Sequence, residues 1–375
     1  ALNENVKAVF TVEVDYAWGD AGVGRVTADS TSNIEIANLY LDFNIPEANT
    51  NVKAGTHFYK LGGGLIIGEH ASGVSTRTAF DENINLGLYW VKAIEGDDED
   101  DNSDVDYYQA QVDIKAGDMT ITPFLGYFDG DDNAVNYRSN RTVRVDNTTV
   151  ATYNYGIGRQ YYYGLELKGK ADALEYGAVA FYNDGRYNVE VTTPVLSAIE
   201  QESNDAFAFT ANAAYTVGDT KLLTEAGRYG DSDSPTGEMV TVVGYNNFSE
   251  ILTGGYFDVR TNPLVGGTDQ SVANNTLTPG SGTNSSYYMN FQYAKLGVEQ
   301  KVSDKSKLRA YYIYAEEAAD NQTRFVTDRN GNVKSLKRIT FGHELDLYYD
   351  YTVVPGLIAT LDRKSTRLNS SHGKL

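Results

Sequence analysis

Charged and amide side chains recur at every second residue of otherwise apolar runs in this chain. Between residues 108 and 116, Tyr108, Ala110, Val112, Ile114 and Ala116 fall on one face, and Gln109, Gln111, Asp113 and Lys115 on the other. That period of two is the spacing of a β-strand. The same alternation puts Glu13, Asp15, Asn38, Asp42, Arg77, Glu166, Lys168, Glu225, Arg309, Glu344 and Asp346 on the polar faces of other runs. Side chains spread along one face in this way suit non-covalent chemistry, a polar wall that hydrates and electrostatically biases ions or small solutes moving past it. Acidic positions outnumber basic ones, which favours cations or neutral solutes over anions. The plain alternative is that these are ordinary solvated residues of a polar face. Arg77, beside the glycine-rich stretch 61–71, is the candidate for a contact at a narrow point.

Covalent and metal chemistry finds little support. His57, His70, His343 and His372 are scattered, and the absence of cysteine removes zinc–thiolate sites. No Ser/His/Asn arrangement of a lipase stands out, and Gly62-Gly63-Gly64 has no helix behind it to cradle a phosphate. Asp97, Asp98, Asp100 and Asp101, with Glu99, crowd enough charge to attract divalent cations weakly, but lack the spaced ligands and central glycine of an EF-hand. Residues 129–132 and 231–233 have the same character. No catalytic residue, specific metal site or cofactor is expected. A formal net charge of −20 with no basic stripe speaks against nucleic acid as a partner.

The elements that carry the polar faces read as strands throughout. Residues 106–128 form one hairpin turning at Gly117-Asp118, with Met119, Ile121, Pro123, Leu125 and Tyr127 on the outer face of its second arm. Each arm is about ten residues long, enough for a tilted strand to cross a bilayer. Tyr108 and Tyr127 close the apolar faces at the same end, where amphipathic rings suit a membrane interface. Further strands are expected at 6–18, 33–45 (ending at Pro46), 51–60, 72–80, 84–93, 160–169, 174–182, 206–217, 221–230, 287–301, 307–316, 338–351 and 357–361, with 61–71 as a loop. Long polar loops are expected at 129–158 and 231–285, the turn signal Asn330-Gly331 lies in another loop, and the acidic loop spans 95–104.

Connections alternate long and short along the chain, with the short ones at Pro46, Asp81, Gly117, Lys170, Gly218, Ser303 and Pro355. All short turns then sit at one end of an up-and-down meander, as in outer-membrane barrels, whereas a Greek-key sandwich has no reason to keep that order. No run of 18 apolar residues is present, which excludes helical spans, while a mean hydropathy of −0.41 is compatible with strands that need only every second residue apolar. No charged-then-apolar leader is visible, so a signal peptide, if there was one, is expected to be gone. The fold class is therefore all-β, a transmembrane up-and-down antiparallel barrel of about sixteen strands with its closing strand missing. Residues 1–361 form the barrel. Residues 362–375, DRKSTRLNSSHGKL, are polar and basic without alternation, resemble translated sequencing-adapter read-through, and read as a non-native or disordered tail.

From residue 6 to 361 the chain resembles bacterial outer-membrane porins, especially the porin and alginate-export-like barrels of Gram-negative bacteria. The segments that carry this are ANLYLDFNIP with VKAGTHFYKLGGGLIIG, LYWVKAIEGDDEDD, and FGHELDLYYDYTVVPGLIATLD. The resemblance implies the Gram-negative cell outer membrane, a water-filled channel for small hydrophilic solutes or ions, lipid and lipopolysaccharide around the barrel, and a possible homotrimer. An arginine-rich lumen would imply a passage for polyanions, and this sequence departs from that pattern. Alternatives are a saccharide-selective channel with inward tyrosines such as Tyr89 and Tyr162, a non-transporting anchor that displays acidic binding loops, and a soluble β-rich secreted protein.

Overall fold

The computed structural model describes residues 4–14, 34–94, 105–130, 139–145, 148–192, 197–230, 239–240, 288–289, 291–316, 318–319, 325–327, 333–335 and 340–367. Its strands are β1 (Val6–Val14), β2 (Ile34–Ile45), β3 (Thr50–Leu61), β4 (Ile67–Ala79), β5 (Ile84–Ile94), β6 (Val105–Ala116), β7 (Met119–Asp129), β8 (Ser139–Val145), β9 (Thr148–Ala171), β10 (Leu174–Thr192), β11 (Ser197–Val217), β12 (Thr220–Gly230), β13 (Met239–Val240), β14 (Tyr288–Met289), β15 (Phe291–Ser303), β16 (Ser306–Glu316), β17 (Phe325–Thr327), β18 (Val333–Ser335), β19 (Thr340–Val354) and β20 (Leu357–Arg367). Sixteen of them make one antiparallel sheet in which each strand follows its predecessor, with β8 off the path as an extra partner of β9. The two short hairpins β13–β14 and β17–β18 stand apart from it. Among the described residues β1 and β20 are each paired on one side only.

The alternation read from the sequence decides which way each side chain points. On β6 and β7, Tyr107 and Phe124 are 0% and 3% exposed, whereas their neighbours Tyr108 and Leu125 are 43% and 60% exposed. The outward row continues through Leu39, Leu41, Leu88, Leu165, Leu222, Leu296 and Leu347, all exposed. So continuous an apolar exterior would be a liability in water and is the expected surface in lipid. Trp90, Tyr108, Tyr127, Tyr161 and Tyr182 rim the band toward the longer connections, and Tyr215, Tyr349 and Tyr351 rim it toward the tight turns. On the first rim Trp90 Nε1 donates to Asp106 at 3.1 Å, Tyr127 to Asp129 at 2.7 Å and Tyr182 to Asp205 at 3.0 Å. Each ring keeps its body against the apolar band and its polar tip on a carboxylate beyond it.

Several boundaries differ from the sequence reading. The stretch 61–71 is not a loop: β4 begins at Ile67, pairs Ile67 with Leu61, and leaves only the 3₁₀ turn Gly62–Gly64 with Leu65 and Ile66 between the strands. Three consecutive glycines masked the strand alternation that resumes after them. The loop expected over 129–158 contains β8 and the start of β9, and β10 and β11 continue as a paired ribbon past Tyr182 through Thr192↔Ser197. Tyr153, Tyr155 and Ile157, and Tyr187, Val189 and Val191, alternate with polar or glycine neighbours, a strand signal that the loop reading passed over. β20 runs past Leu361 to Arg367, paired with β19 as far as His343, while residues 368–375 lie outside the described residues. The acidic loop 95–104 and the turn at Asn330-Gly331 lie outside them too.

Arg363 pairs with Leu347, between Leu345 and Tyr349 of the outward row of β19. A cation at that depth on the lipid face opposes insertion by about 2–4 kcal/mol. Replacing Arg363 with Leu is expected to raise the folding stability of the barrel in vesicles by up to about that amount, measured as a shift of the urea midpoint of heat-modifiable migration.

Candidate functional site: the inner wall and its strap

The inward face of β6 carries a hydrogen-bonded rail built from alternate residues. Tyr107 OH donates to Gln109 Oε1 at 2.7 Å, Gln109 Nε2 to Gln111 Oε1 at 2.8 Å, and Gln111 Nε2 to Asp113 Oδ1 at 3.4 Å. Asp113 also accepts from Thr122 Oγ1 at 2.9 Å and from Arg77 Nη2 at 2.8 Å. The period of two stacks the side chains along the strand, and the ion pair at the end fixes which way both amides point. Gln109, Gln111, Asp113 and Arg77 are thus one connected group, with Arg77 at its more exposed end.

The connection from β3 to β4 turns inward as a short strap. Leu61, Leu65, Ile66 and Ile67 are at most 2% exposed and pack in one core with Tyr59, Tyr107, Phe124, Tyr162 and Phe181. The strap crosses to strands that lie beyond β5, β6 and β7 along the sheet, so it spans the interior rather than following the wall. Gly63 N–H donates to Glu166 Oε1 of β9 at 2.7 Å. Gly63 has φ +66°, and a Cβ there would lie 2.4 Å from Val179 Cγ2 of β10. Backbone can approach that wall only where no side chain intervenes. Glu166 is therefore the polar latch of the strap, and Arg77 is engaged with Asp113.

A second network lines β15, β16 and β19. Arg309 forks onto Asp350 through Nε at 2.7 Å and Nη2 at 2.9 Å, and its guanidinium lies 4.4 Å from the ring centroid of Tyr348. Glu299 accepts from Tyr311 OH at 2.8 Å and from Lys307 Nζ at 3.1 Å. Glu344 and Asp346, on the same inner face of β19, are 1% and 2% exposed. Glu225 accepts from Tyr293 OH.

The structure thus joins Arg77, Gln109, Gln111 and Asp113, brings Glu166 to the strap, and sets Arg309, Glu344 and Asp346 on a separate stretch of wall. Asp42 accepts from Asn51 Nδ2 at 2.7 Å, and Lys168 is the next inward residue after Glu166 on β9. Asp97, Asp98, Asp100, Asp101 and Asp15 lie outside the described residues, as does the side chain of Glu13. Tyr162 faces inward but is fully buried, so it packs the wall and presents no ring to a solute. Sequence reasoning missed Lys53, His57 and Tyr59, although all share the inward parity of β3. It also missed Glu299 and Asp350, whose roles depend on cross-strand register.

No protein-family model matches the sequence, and neither does any curated protein. Among solved structures the chain is similar to OccK8 (OprE) of Pseudomonas aeruginosa, with 12% identity over 96% of this chain and 83% of that one and a TM-score of 0.47. OccK9 (OpdG) of the same organism gives 14% identity, 97% and 81% coverage and a TM-score of 0.47. OmpT, an outer membrane protein of Vibrio cholerae, gives 12% identity, 98% and 86% coverage and a TM-score of 0.44.

Replacing Glu166 by Ala removes the acceptor for the Gly63 N–H, a charge-assisted bond worth about 1.5–3 kcal/mol. The expected result is a barrel of unchanged strand content whose strap is more easily displaced, read as faster cleavage by a protease added from the loop side. Gly63→Val is expected to give the same phenotype, more strongly, through the clash with Val179.

Proposed function

We propose that the protein is a porin-type channel of a Gram-negative outer membrane, passing small hydrophilic solutes or ions by diffusion. The observation that carries this is the inversion of an ordinary globular fold. The outward face is a continuous apolar band with aromatic rims, and the inward face bears the Tyr107–Asp113 rail and the Arg309–Asp350 network. A polar interior in an apolar sleeve has a use only if water enters it, and barrels of about sixteen strands are wide enough for an aqueous path. Outer-membrane lipid and lipopolysaccharide would contact the band, and a homotrimer is compatible with it. Neither a catalytic residue nor a cofactor is part of this reading. We take residues 1–361 as the native barrel and 362–375 as foreign sequence of which 362–367 prolong β20 beside β19, a reading supported by Arg363 on the lipid-facing row.

The acidic side chains Glu166, Glu225, Glu344 and Asp346 on the inner wall, beside the Arg77–Asp113 and Arg309–Asp350 pairs, support a mild preference for cations. A second reading, a plugged barrel that anchors binding loops, draws on the apolar core under the strap and on the burial of Glu344 and Asp346.

Planar-bilayer recordings decide between them. Ohmic single-channel steps with a reversal potential favouring cations across a salt gradient are expected, and Asp113→Asn, which releases Arg77, is expected to move that potential toward anions. A folded, heat-modifiable barrel without conductance would overturn the channel reading in favour of the anchor.

A further inference from the structure

On the lipid side of the rim toward the long connections, β5, β6, β7 and β9 set four rings opposite one another. Trp90 faces Tyr108, Tyr108 faces Tyr127, and Tyr127 faces Tyr161 across successive strand pairs. The ring centroids of Tyr108 and Tyr127 are 6.4 Å apart and those of Tyr127 and Tyr161 5.1 Å, so the rings make a continuous shelf at the edge of the apolar band. One outward position further from the band, the residue types change to Lys92, Asp106, Asp129 and Arg159. Rings at this level flank the hydrocarbon, and the residues beyond them lie at headgroup depth.

Those four charges run plus, minus, minus, plus around the rim. Asp106 and Asp129 are directly opposite in the β6–β7 ladder, which brings like charges to about 5 Å apart at Cβ and is destabilising unless a cation relieves it. Lys92 on β5 and Arg159 on β9 flank the pair, each 3.8 Å from its aspartate. The arrangement of facing aspartates recurs on β10 and β11, where Asp184 is directly opposite Asp205. Among the described residues neither of these two has a cation within ion-pair distance. The outward parity of all four aspartates follows from their buried neighbours Tyr107, Phe128, Asn183 and Ala206. Trp90, Tyr127 and Tyr182 donate to Asp106, Asp129 and Asp205. These neutral donors orient the carboxylates and leave their charge in place.

We propose that this arc of the rim docks membrane lipids whose headgroup carries a primary ammonium next to a phosphate, as phosphoethanolamine does. The ammonium settles between facing aspartates, where its N–H donors can reach both carboxylates, and the phosphate turns to Lys92 or Arg159 on either flank. Charge complementarity selects this occupant. A purely anionic headgroup meets the aspartates, a quaternary ammonium has no N–H to give, and a zwitterion with a primary amine satisfies both signs at once. The ring shelf is continuous with the lipid-facing band, so an acyl chain can follow the wall beneath a docked headgroup. The inference rests on the outer-membrane reading and extends it from contact with lipid in general to a choice among headgroups. It does not depend on conduction.

Trp90 reports on the site directly. The chain has two tryptophans, so replacing Trp18 with Phe leaves Trp90 as the only one. The full-length barrel with that change is refolded into phosphatidylcholine vesicles containing a fixed minor fraction of lipid with brominated chains. Quenching of Trp90 is then compared for phosphatidylethanolamine, phosphatidylcholine and phosphatidylglycerol headgroups. Brominated phosphatidylethanolamine is expected to occupy the shelf about threefold more than the other two, the scale of a solvent-exposed ion pair. Asp106→Asn combined with Asp129→Asn should abolish that preference, whereas Asp304→Asn, at a tight turn of the opposite rim, should leave it unchanged. Heat-modifiable migration verifies that each variant is folded. Equal quenching by the three lipids, a preference for phosphatidylglycerol, or a preference that survives loss of both aspartates would overturn the headgroup site while leaving the barrel in its membrane. Trp90 emission that no brominated lipid quenches would instead remove the membrane placement itself, so the two readings fail separately.

Discussion

Backbone amides and carbonyls cannot be left unpaired in hydrocarbon, and this requirement governs the rest of the structure. Each unsatisfied group in the bilayer core costs several kcal/mol, so strands that cross it must pair edge to edge. Sequential antiparallel pairing over fifteen strands, with β8 added beside β9, supplies those bonds. Side-chain chemistry is then confined by geometry. Successive residues point alternately to lipid and to the interior, and any polar group the chain keeps must fall on the inward parity.

That confinement explains how the inner wall is built. Inward side chains brace one another along and across strands. The rail from Tyr107 to Asp113 uses i, i+2 neighbours on one strand. Arg309 with Asp350, and Glu299 with Lys307, use neighbours across strands. Both patterns fix charged groups whose entropy would otherwise be large. The strap leaves the wall, and it can do so because three glycines allow left-handed backbone between two paired strands. Its apolar residues, each contributing about 1.5–3 kcal/mol by burial, hold it inward, and Glu166 fixes where it lands.

Most of the sheet was legible because lipid imposes a period of two on one face. Residues 106–128 show that alternation from both sides, and the structure reproduces it as β6 and β7 with the turn at Gly117. Legibility failed where the constraint lapses. β8 and the far halves of β9, β10 and β11 read as loop because their short alternating runs are interleaved with Gly, Asn and Asp, residues that also mark loops. The glycines before Ile67 erased the signal at the start of β4. Among site residues, alternation assigned Gln109, Gln111 and Asp113 to the interior, but Lys53, His57 and Tyr59 were passed over although the same rule places them there.

The sequence by itself determined the class of fold and the parity of the wall, because alternation and turn residues are local properties that a strand in lipid must express. Only the tertiary structure decided which inward residues meet. The distance from Gly63 to Glu166 spans 103 positions in the chain, and nothing local to either residue encodes it. The pairing of Arg77 with Asp113 and the burial of the Tyr59 hydroxyl over Gly73 arise from strand register and from the path of the strap. Those depend on how strands distant in the chain are brought together across the sheet.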